Sequence, residues 1–195
     1  MPPAGSFQSV SAGGLHTCGV KTDGSVECWG SNSGSTGEIA GQLEAPEGSF
    51  QSVSAGQEHS CGAKTNGGVE CWSAAFPKGL FKSVSAGGNY NSCGVRLDGS
   101  VECSSSLHPS IDKGQGNAPH GTFQSVSAGA EHTCGLKIDG VVECWGGKGF
   151  GKSSPPAGSF LSVSAGGNHS CGVKADGSVV CWGSNSNGQL NVSKP

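Results

Sequence analysis

The sequence predicts an all-β protein, a β-propeller built from five repeats, and three observations carry that expectation. The stretch Phe7 to Trp29, FQSVSAGGLHTCGVKTDGSVECW, returns from Phe50, Phe81, Phe123 and Phe160. Within each copy, apolar and polar residues alternate with the period of two that marks a strand, and no stretch shows helical spacing. Finally, Val10, Val53, Val84, Val126 and Val163 recur at intervals of 43, 31, 42 and 37 residues. Internal periods of about 20 to 50 residues indicate solenoids or propellers, in which small sheets bury their faces against each other.

The first element of each copy is FQSVSAG, where Val10 and Ala12 share one face and Ser9 and Ser11 the other. Such small side chains suit a crowded strand near a central axis. Gly13-Gly14 then permits a tight turn. The second and third strands, HTCGVK and SVECW, flank Thr22-Asp23-Gly24. Asp-Gly between alternating segments is a strong hairpin signal. It recurs as Asn66-Gly67, Asp98-Gly99, Asp139-Gly140 and Asp176-Gly177. From Phe to the second Cys each copy spans 21 residues, except 22 in the third; the stretch from that Cys to the next Phe varies between 10 and 22. The first part reads as scaffold and the second as loop, with a short fourth strand allowed in it. The copies run roughly 1–45, 46–77, 78–118, 119–155 and 156–195 of a single domain. Closure into a five-bladed ring is expected, the alternative being a piece of a larger propeller or assembly.

The ten Cys fall into five pairs, each ten positions apart: Cys18 with Cys28, Cys61 with Cys71, Cys93 with Cys103, Cys134 with Cys144, and Cys171 with Cys181. A three-residue hairpin loop with Gly24 in a left-handed bulge sets Cys18 opposite Cys28, at a non-hydrogen-bonded site with Cα atoms ~4.5 Å apart. Cross-strand disulfides in an oxidising compartment are the favoured reading. Reduced, buried Cys between blades is a second. A third is a metal site, since His16, His59, His132 and His169 lie two positions before a Cys. A zinc site wants a fourth ligand or an open position, however, and the third copy has Asn91 in the His place. The histidines therefore read as structural, bonding backbone in the turn after Gly-Gly. Trp29, Trp72, Trp145 and Trp182 read as blade packing.

The combination AGG-x-H-x-C, DG-x-V-x-CWG and SN-x-x-GQL, carried by Ala12 to His16, Asp23-Gly24, Trp29 to Asn32 and Gly41 to Leu43, returns in copy five as Gly183 to Asn185 and Gly188 to Leu190. It resembles the regulator-of-chromosome-condensation repeat in a compact, Cys-containing form, over essentially the whole chain. The resemblance implies a propeller, usually of seven blades, and a non-enzymatic protein. In repeat length it is similar to bacterial propeller proteins that inhibit β-lactamases. The chromatin-associated relatives that exchange nucleotide on a small GTPase do so through an insertion that has no counterpart here.

Composition narrows the function classes. Net charge is −3 with no basic cluster, so the positive surface that nucleic acid requires is missing. No apolar run approaches the ~20 residues of a membrane span. The N-terminus, MPPAGSF, lacks the regions of a signal peptide, so a secreted form would have lost its signal. Asn168-His169-Ser170 and Asn191-Val192-Ser193 match the glycosylation acceptor, the first of them inside a turn. No phosphate loop, paired carboxylates or strained nucleophile elbow is present, and no cofactor is expected.

What remains is binding. The variable segments 30–46, 72–79, 104–119 and 145–156 should emerge at equivalent places and form one rim, and loops on a rigid scaffold commonly carry binding residues. Copy three departs most, with Ser104-Ser105 for Trp-Gly and an extra residue in GGNYNSC. Tyr90, His108, Asp112, Lys113, His120 and Phe150 are the candidate contact residues. The expected function is an extracellular module binding a protein partner through these loops. A structural subunit of a self- or hetero-assembly is the alternative, and a carbohydrate-binding propeller a weaker one.

Overall fold

The structure, a computed structural model, describes residues 3–34, 37–88, 90–104 and 111–192. Each copy forms one sheet of three antiparallel strands in chain order. Blade 1 comprises β1 (Phe7–Ala12), β2 (His16–Lys21) and β3 (Val26–Gly30), and blade 2 comprises β4 (Phe50–Ala55), β5 (Ser60–Lys64) and β6 (Val69–Trp72). Blade 3 holds β7 (Phe81–Ala86), β8 (Ser92–Arg96) and β9 (Val101–Ser104). Blade 4 holds β10 (Phe123–Ala128), β11 (His132–Lys137) and β12 (Val142–Gly146), and blade 5 holds β13 (Phe160–Ala165), β14 (His169–Lys174) and β15 (Val179–Gly183). Among the described residues the other regular element is a single 3₁₀ turn, Gly149–Gly151.

The hairpin between β2 and β3 has the three-residue loop its sequence asks for. Lys21 N donates to Ser25 O and Gly24 N to Lys21 O, with Gly24 at φ 87°, in the left-handed region. The Asp23 carboxylate accepts the Ser25 amide at 2.9 Å and fixes the turn. That loop length sets Cys18 opposite Cys28 and Gly19 opposite Glu27.

All five cysteine pairs are disulfides. Cys18 is bonded to Cys28, Cys61 to Cys71, Cys93 to Cys103, Cys134 to Cys144 and Cys171 to Cys181. Their Cα atoms lie 4.0–4.1 Å apart, closer than the ~4.5 Å expected for a facing pair. The reading of the cysteines as reduced, buried apolar residues is thereby overturned, and burial tells the same story. Cys18, Cys61, Cys93 and Cys134 are fully buried, but Cys28, Cys71, Cys103, Cys144 and Cys181 on the outer strands are only half-buried. The Gly after each first Cys has its own cause: a Cβ on Gly19 would stand 2.6 Å from the Phe7 ring, which lies against this strand.

The register gives each blade two unlike faces. In blade 4, His132, Cys134, Leu136 and Val142 point forward; in blade 5, Val163, Ala165, Phe160 and Trp182 point back. The apolar members of the two sets build one buried cluster, with Cys144 packed against it. Fully burying such side chains contributes roughly 1.5–3 kcal/mol each. The first strands pack in series, β1 on β4 on β7 on β10 on β13. Their Ser-Ala-Gly ends line a cavity of about 500 Å³ shared by all five blades, which accounts for the small side chains at this position.

The series does not close. The expected five-bladed ring needs blade 5 to pack on blade 1, yet β13 and β1 share no packing comparable to that of neighbouring blades among the described residues. A Cβ on Gly13, Gly56, Gly87 or Gly129 would meet the next blade's backbone within 2.5 Å, whereas one on Gly166, at the same position of blade 5, would meet only His169 of its own blade. Val10, on the back of blade 1, is 63% exposed, while Val53, Val84, Val126 and Val163 are each half-buried. The protein is an open arc of five blades.

A disulfide closing so short a loop stabilises by about 2–3 kcal/mol. Oxidised protein denatured in guanidinium should show no thiol reactive towards a chromogenic disulfide reagent, and a reductant should lower the unfolding midpoint. Ten reactive thiols in the untreated protein would contradict the pairing.

Candidate functional site

The histidines expected to bond backbone in their own turn instead reach across to the next blade. His16, His59 and His132 each place Nε2 2.7 Å from a hydroxyl, of Ser60, Ser92 and Ser170 respectively. In copy three, Asn91 Nδ2 donates to Thr133 Oγ1 at 2.9 Å. Thr133 passes its own proton to Gln115 O, and Ser170 does the same to Lys152 O. The amide can only donate here, so the parallel assigns the proton to Nε2 of the histidines and leaves Nδ1 bare. Nδ1 of His16, His59 and His132 is indeed buried without a partner.

The same loop carbonyls anchor the tryptophans. Trp72, Trp145 and Trp182 donate their indole N–H to the carbonyls of Gln42, Gln115 and Lys152 at 2.8–2.9 Å. These residues follow Gly in Gly41-Gln42, Gly114-Gln115 and Gly151-Lys152, which explains the recurrence of Gly-Gln. The short segment after β6 has no such residue, and the blade that follows has Ser104 where Trp would stand. Phe76 fills the vacated space, its ring 5.2 Å from Phe81 in the edge-on geometry that Trp145 and Trp182 adopt on Phe123 and Phe160. Part of the departure of copy three is therefore packing compensation.

The rim is formed where the third strands end. Because His16 pairs with Gly30, the turns after β1, β4, β7, β10 and β13 lie at the same end as the start of the variable segments. Ser31, Gly147 and Ser184 donate their amides to Leu15, Glu131 and Asn168 in those turns. Tyr90 sits in one of these turns with φ 57°, its ring 5.6 Å from His59 and its hydroxyl donating to Glu58 at 3.3 Å. Partial burial and the Glu58 carboxylate raise the Tyr90 pKa. Phe150 occupies the 3₁₀ turn at φ 60°, its side chain 71% exposed. Left-handed backbone at a bulky residue costs of order 1–3 kcal/mol and concentrates at binding sites.

Beside it, the buried Lys152 ammonium joins Glu131 of blade 4 to Asn168 of blade 5 at 2.8 and 2.9 Å. The hydrogen bond from Lys152 holds the Glu131 carboxyl below its usual range, with a smaller contribution from the charge of Lys113. Asp112 and Lys113 are exposed and precede Gln115, whose side-chain oxygen accepts the Lys113 amide. The structure thus brings Tyr90, Asp112, Lys113 and Phe150 to one end of the arc. It does not bring His120 there: residues 120–123 run to the hairpin end, where Phe123 N donates to Gly99 O and Ile138 N to Thr122 O. His108 lies outside the described residues. Lys152 escaped the sequence reading, although its alignment with Gln42 and Gln189 was the available signal. The sulfurs are consumed in disulfides, so the His-x-Cys pattern offers no thiolate to a metal.

Comparisons with known proteins place the fold. The family model described as the regulator of chromosome condensation (RCC1) repeat matches residues 7–34, 123–152 and 160–189, so RCC1-type repeats are detected in three of the five copies. No curated protein sequence matches it. The CRINKLY WD40 ectodomain of the Arabidopsis thaliana receptor kinase ACR4 is 29% identical, with TM-score 0.71 over 91% of this chain and 63% of that one. The entire ectodomain of the Physcomitrella patens receptor kinase CR4 is 27% identical, with TM-score 0.72 over 91% of this chain and 50% of that one. Prp20p of Saccharomyces cerevisiae, 15% identical, superimposes with TM-score 0.80 over 97% of this chain and 60% of its own. The chain spans between half and two thirds of the length of these proteins. Its five disulfides and the two ectodomains point to an oxidising, extracellular setting.

Burial lowers the pKa of His59 and His132 to about 4, helped by the charges of His16 and Lys152 respectively. In the unfolded chain these rings protonate near pH 6.5. Below that pH the unfolded state binds more protons than the native one, so stability is full above about 6.5 and falls as pH drops towards 4. The urea midpoint should decline between about pH 6.5 and 5, above the range in which the carboxylates titrate. His59→Asn with His132→Asn, copying Asn91, should flatten that decline. A wild-type midpoint constant over this window would contradict the buried neutral histidines.

Proposed function

We propose that the protein is an extracellular binding module that holds a protein partner on the rim at the variable-loop end, and that it performs no chemistry. The observation that carries this reading is the pair of exposed aromatic residues, Tyr90 and Phe150, each in left-handed backbone and both at that end. Aromatic anchors among charged neighbours are the composition of binding hot spots, and here Asp112, Lys113 and Glu131 supply the charges. The extracellular assignment rests on the five disulfides and on the likeness to the two receptor-kinase ectodomains. Protein binding is also the use recorded for the yeast propeller Prp20p, towards Gsp1p and histones.

A lectin would repeat its contact groups blade by blade. The equivalent turn positions here hold Leu15, Glu58, Tyr90, Glu131 and Asn168, which favours a single asymmetric partner.

The test is an array of extracellular domains probed with wild-type protein and two triple variants. Tyr90→Ala, Lys113→Ala and Phe150→Ala alter the rim, while Thr22→Ala, Thr65→Ala and Ile138→Ala alter the hairpin end. The rim variant should weaken partner binding by roughly tenfold or more, with the hairpin variant unchanged. Loss confined to the hairpin variant would move the site to the other end.

A further inference from the structure

Asn66 stands alone among the five hairpin tips. The equivalent residues are Asp23, Asp98, Asp139 and Asp176, each followed by Gly. At Asn66 a second Gly comes next, Gly67-Gly68, where the other copies carry Ser25, Ser100, Val141 and Ser178. In an Asn-Gly pair the backbone nitrogen reaches the side-chain carbonyl carbon most readily, because no Cβ stands beside the attacking atom. Asn66 is also exposed.

The turn is already built for a carboxylate at this position. Asn66 Oδ1 accepts the Gly68 amide at 3.0 Å. Asp23, Asp98, Asp139 and Asp176 accept the amides of Ser25, Ser100, Val141 and Ser178 through the same atom at 2.8–3.0 Å. The backbone on either side is pinned: Gly67 N donates to Lys64 O, Lys64 N to Gly68 O and Phe81 N to Gly67 O. The last of these ties the tip to blade 3. The first two close the loop that sets Cys61 opposite Cys71.

We infer that Asn66 is a site of spontaneous conversion to aspartate, and that the hairpin selects aspartate over its isoaspartyl isomer. Gly67 N gives up its proton and attacks Asn66 Cγ. The bond from Cγ to Nδ2 breaks, the departing nitrogen takes up that proton and leaves as ammonia, and a cyclic succinimide remains. Water then opens the ring, its hydroxyl going to a carbonyl carbon and its hydrogen to Gly67 N. Rupture between Cγ and Gly67 N restores the ordinary backbone and leaves aspartate. Rupture between the residue 66 carbonyl carbon and Gly67 N leaves isoaspartate, with the backbone lengthened by Cβ. The sum is water in and ammonia out, with no change of oxidation state.

Aspartate keeps every bond of the tip. The lengthened isomer cannot hold Gly67 on both Lys64 O and Phe81 N in a three-residue loop. The same bonds restrain the reactant, so the tip must open before the ring closes. Conversion adds one negative charge to the net −3 of the chain. That charge lies at the hairpin end, away from the rim, and is independent of partner binding there.

Asn187-Gly188, the other Asn-Gly of the chain, is an internal comparison. It is exposed, its Nδ2 reaches Ser186 Oγ at 3.4 Å, and the equivalent residues are Ala40, Lys113 and Phe150 rather than Asp. Oxidised full-length protein is held in mildly alkaline buffer beside a reduced, denatured sample. Both are digested and read by mass spectrometry, with fragmentation that separates the two isomers. In the folded chain Asn66 should convert with aspartate in excess, and roughly tenfold or more slowly than in the denatured chain, since local opening comes first. Isoaspartate, the product an unconstrained succinimide favours, should predominate in the denatured chain and at Asn187 in both samples. Asn66→Asp should unfold at the wild-type denaturant midpoint. An unchanged Asn66 in folded protein whose Asn187 has converted would overturn the inference, as would isoaspartate in excess at Asn66 of the folded chain. Equal rates in the folded and denatured chains, aspartate in excess at Asn187 too, or a lowered midpoint for Asn66→Asp would each do the same.

Discussion

The contact between the forward face of one blade and the back face of the next is the constraint on which everything else rests. A three-stranded sheet of this size cannot bury its own faces. The two faces are unlike, and each supplies what the other lacks. The forward face offers an imidazole or amide donor, the disulfide and a branched aliphatic residue. The back face offers a hydroxyl, a Phe ring and an indole N–H. Because a buried imidazole or hydroxyl without its partner costs about 1–3 kcal/mol, the bonds fix the register of blade on blade as well as adding stability. The disulfides act within blades and hold the second and third strands together, so the two kinds of link divide the work.

Much of this was legible in the sequence because it is local. Strand alternation, the Asp-Gly turns and the ten-residue Cys spacing all act within one copy. The hairpin loop alone determines that Cys18 faces Cys28, and likewise that Cys61 faces Cys71 and Cys134 faces Cys144. The junctions were not legible, since their partners lie tens of residues apart. Nothing near His59 names Ser92, and the turn position after Gly-Gly made a local backbone bond the natural expectation. Ser104 shows the same limit from another side. Read within its own copy it is a lost Trp, and only the packing of Phe76 from the preceding segment explains how that loss is tolerated. Ring closure failed as an expectation for a further reason, since copy number does not determine the angle between neighbouring blades.

The rim was partly legible. Aligning the copies directs attention to the variable segments, and Tyr90, Asp112, Lys113 and Phe150 do gather at one end. His120 does not, because each segment travels from the rim to the hairpin end before the next first strand begins. A residue late in a segment therefore leaves the rim. Lys152 adds a structural role inside the same region: buried, with its ammonium on Glu131 and Asn168, it fixes the last junction and supports the turn that displays Phe150.

The central claim is that the hydroxyl-centred junction joins blades and is unfilled at the end of the arc. A double-mutant cycle on unfolding free energy tests it, using His132→Ala and Ser170→Ala, with His169→Ala as the comparison. The account predicts a coupling of about 1 kcal/mol or more between His132 and Ser170, and a clearly smaller cost for His169→Ala than for His132→Ala. Additive effects at His132 and Ser170, or an equal cost at His169, would contradict it.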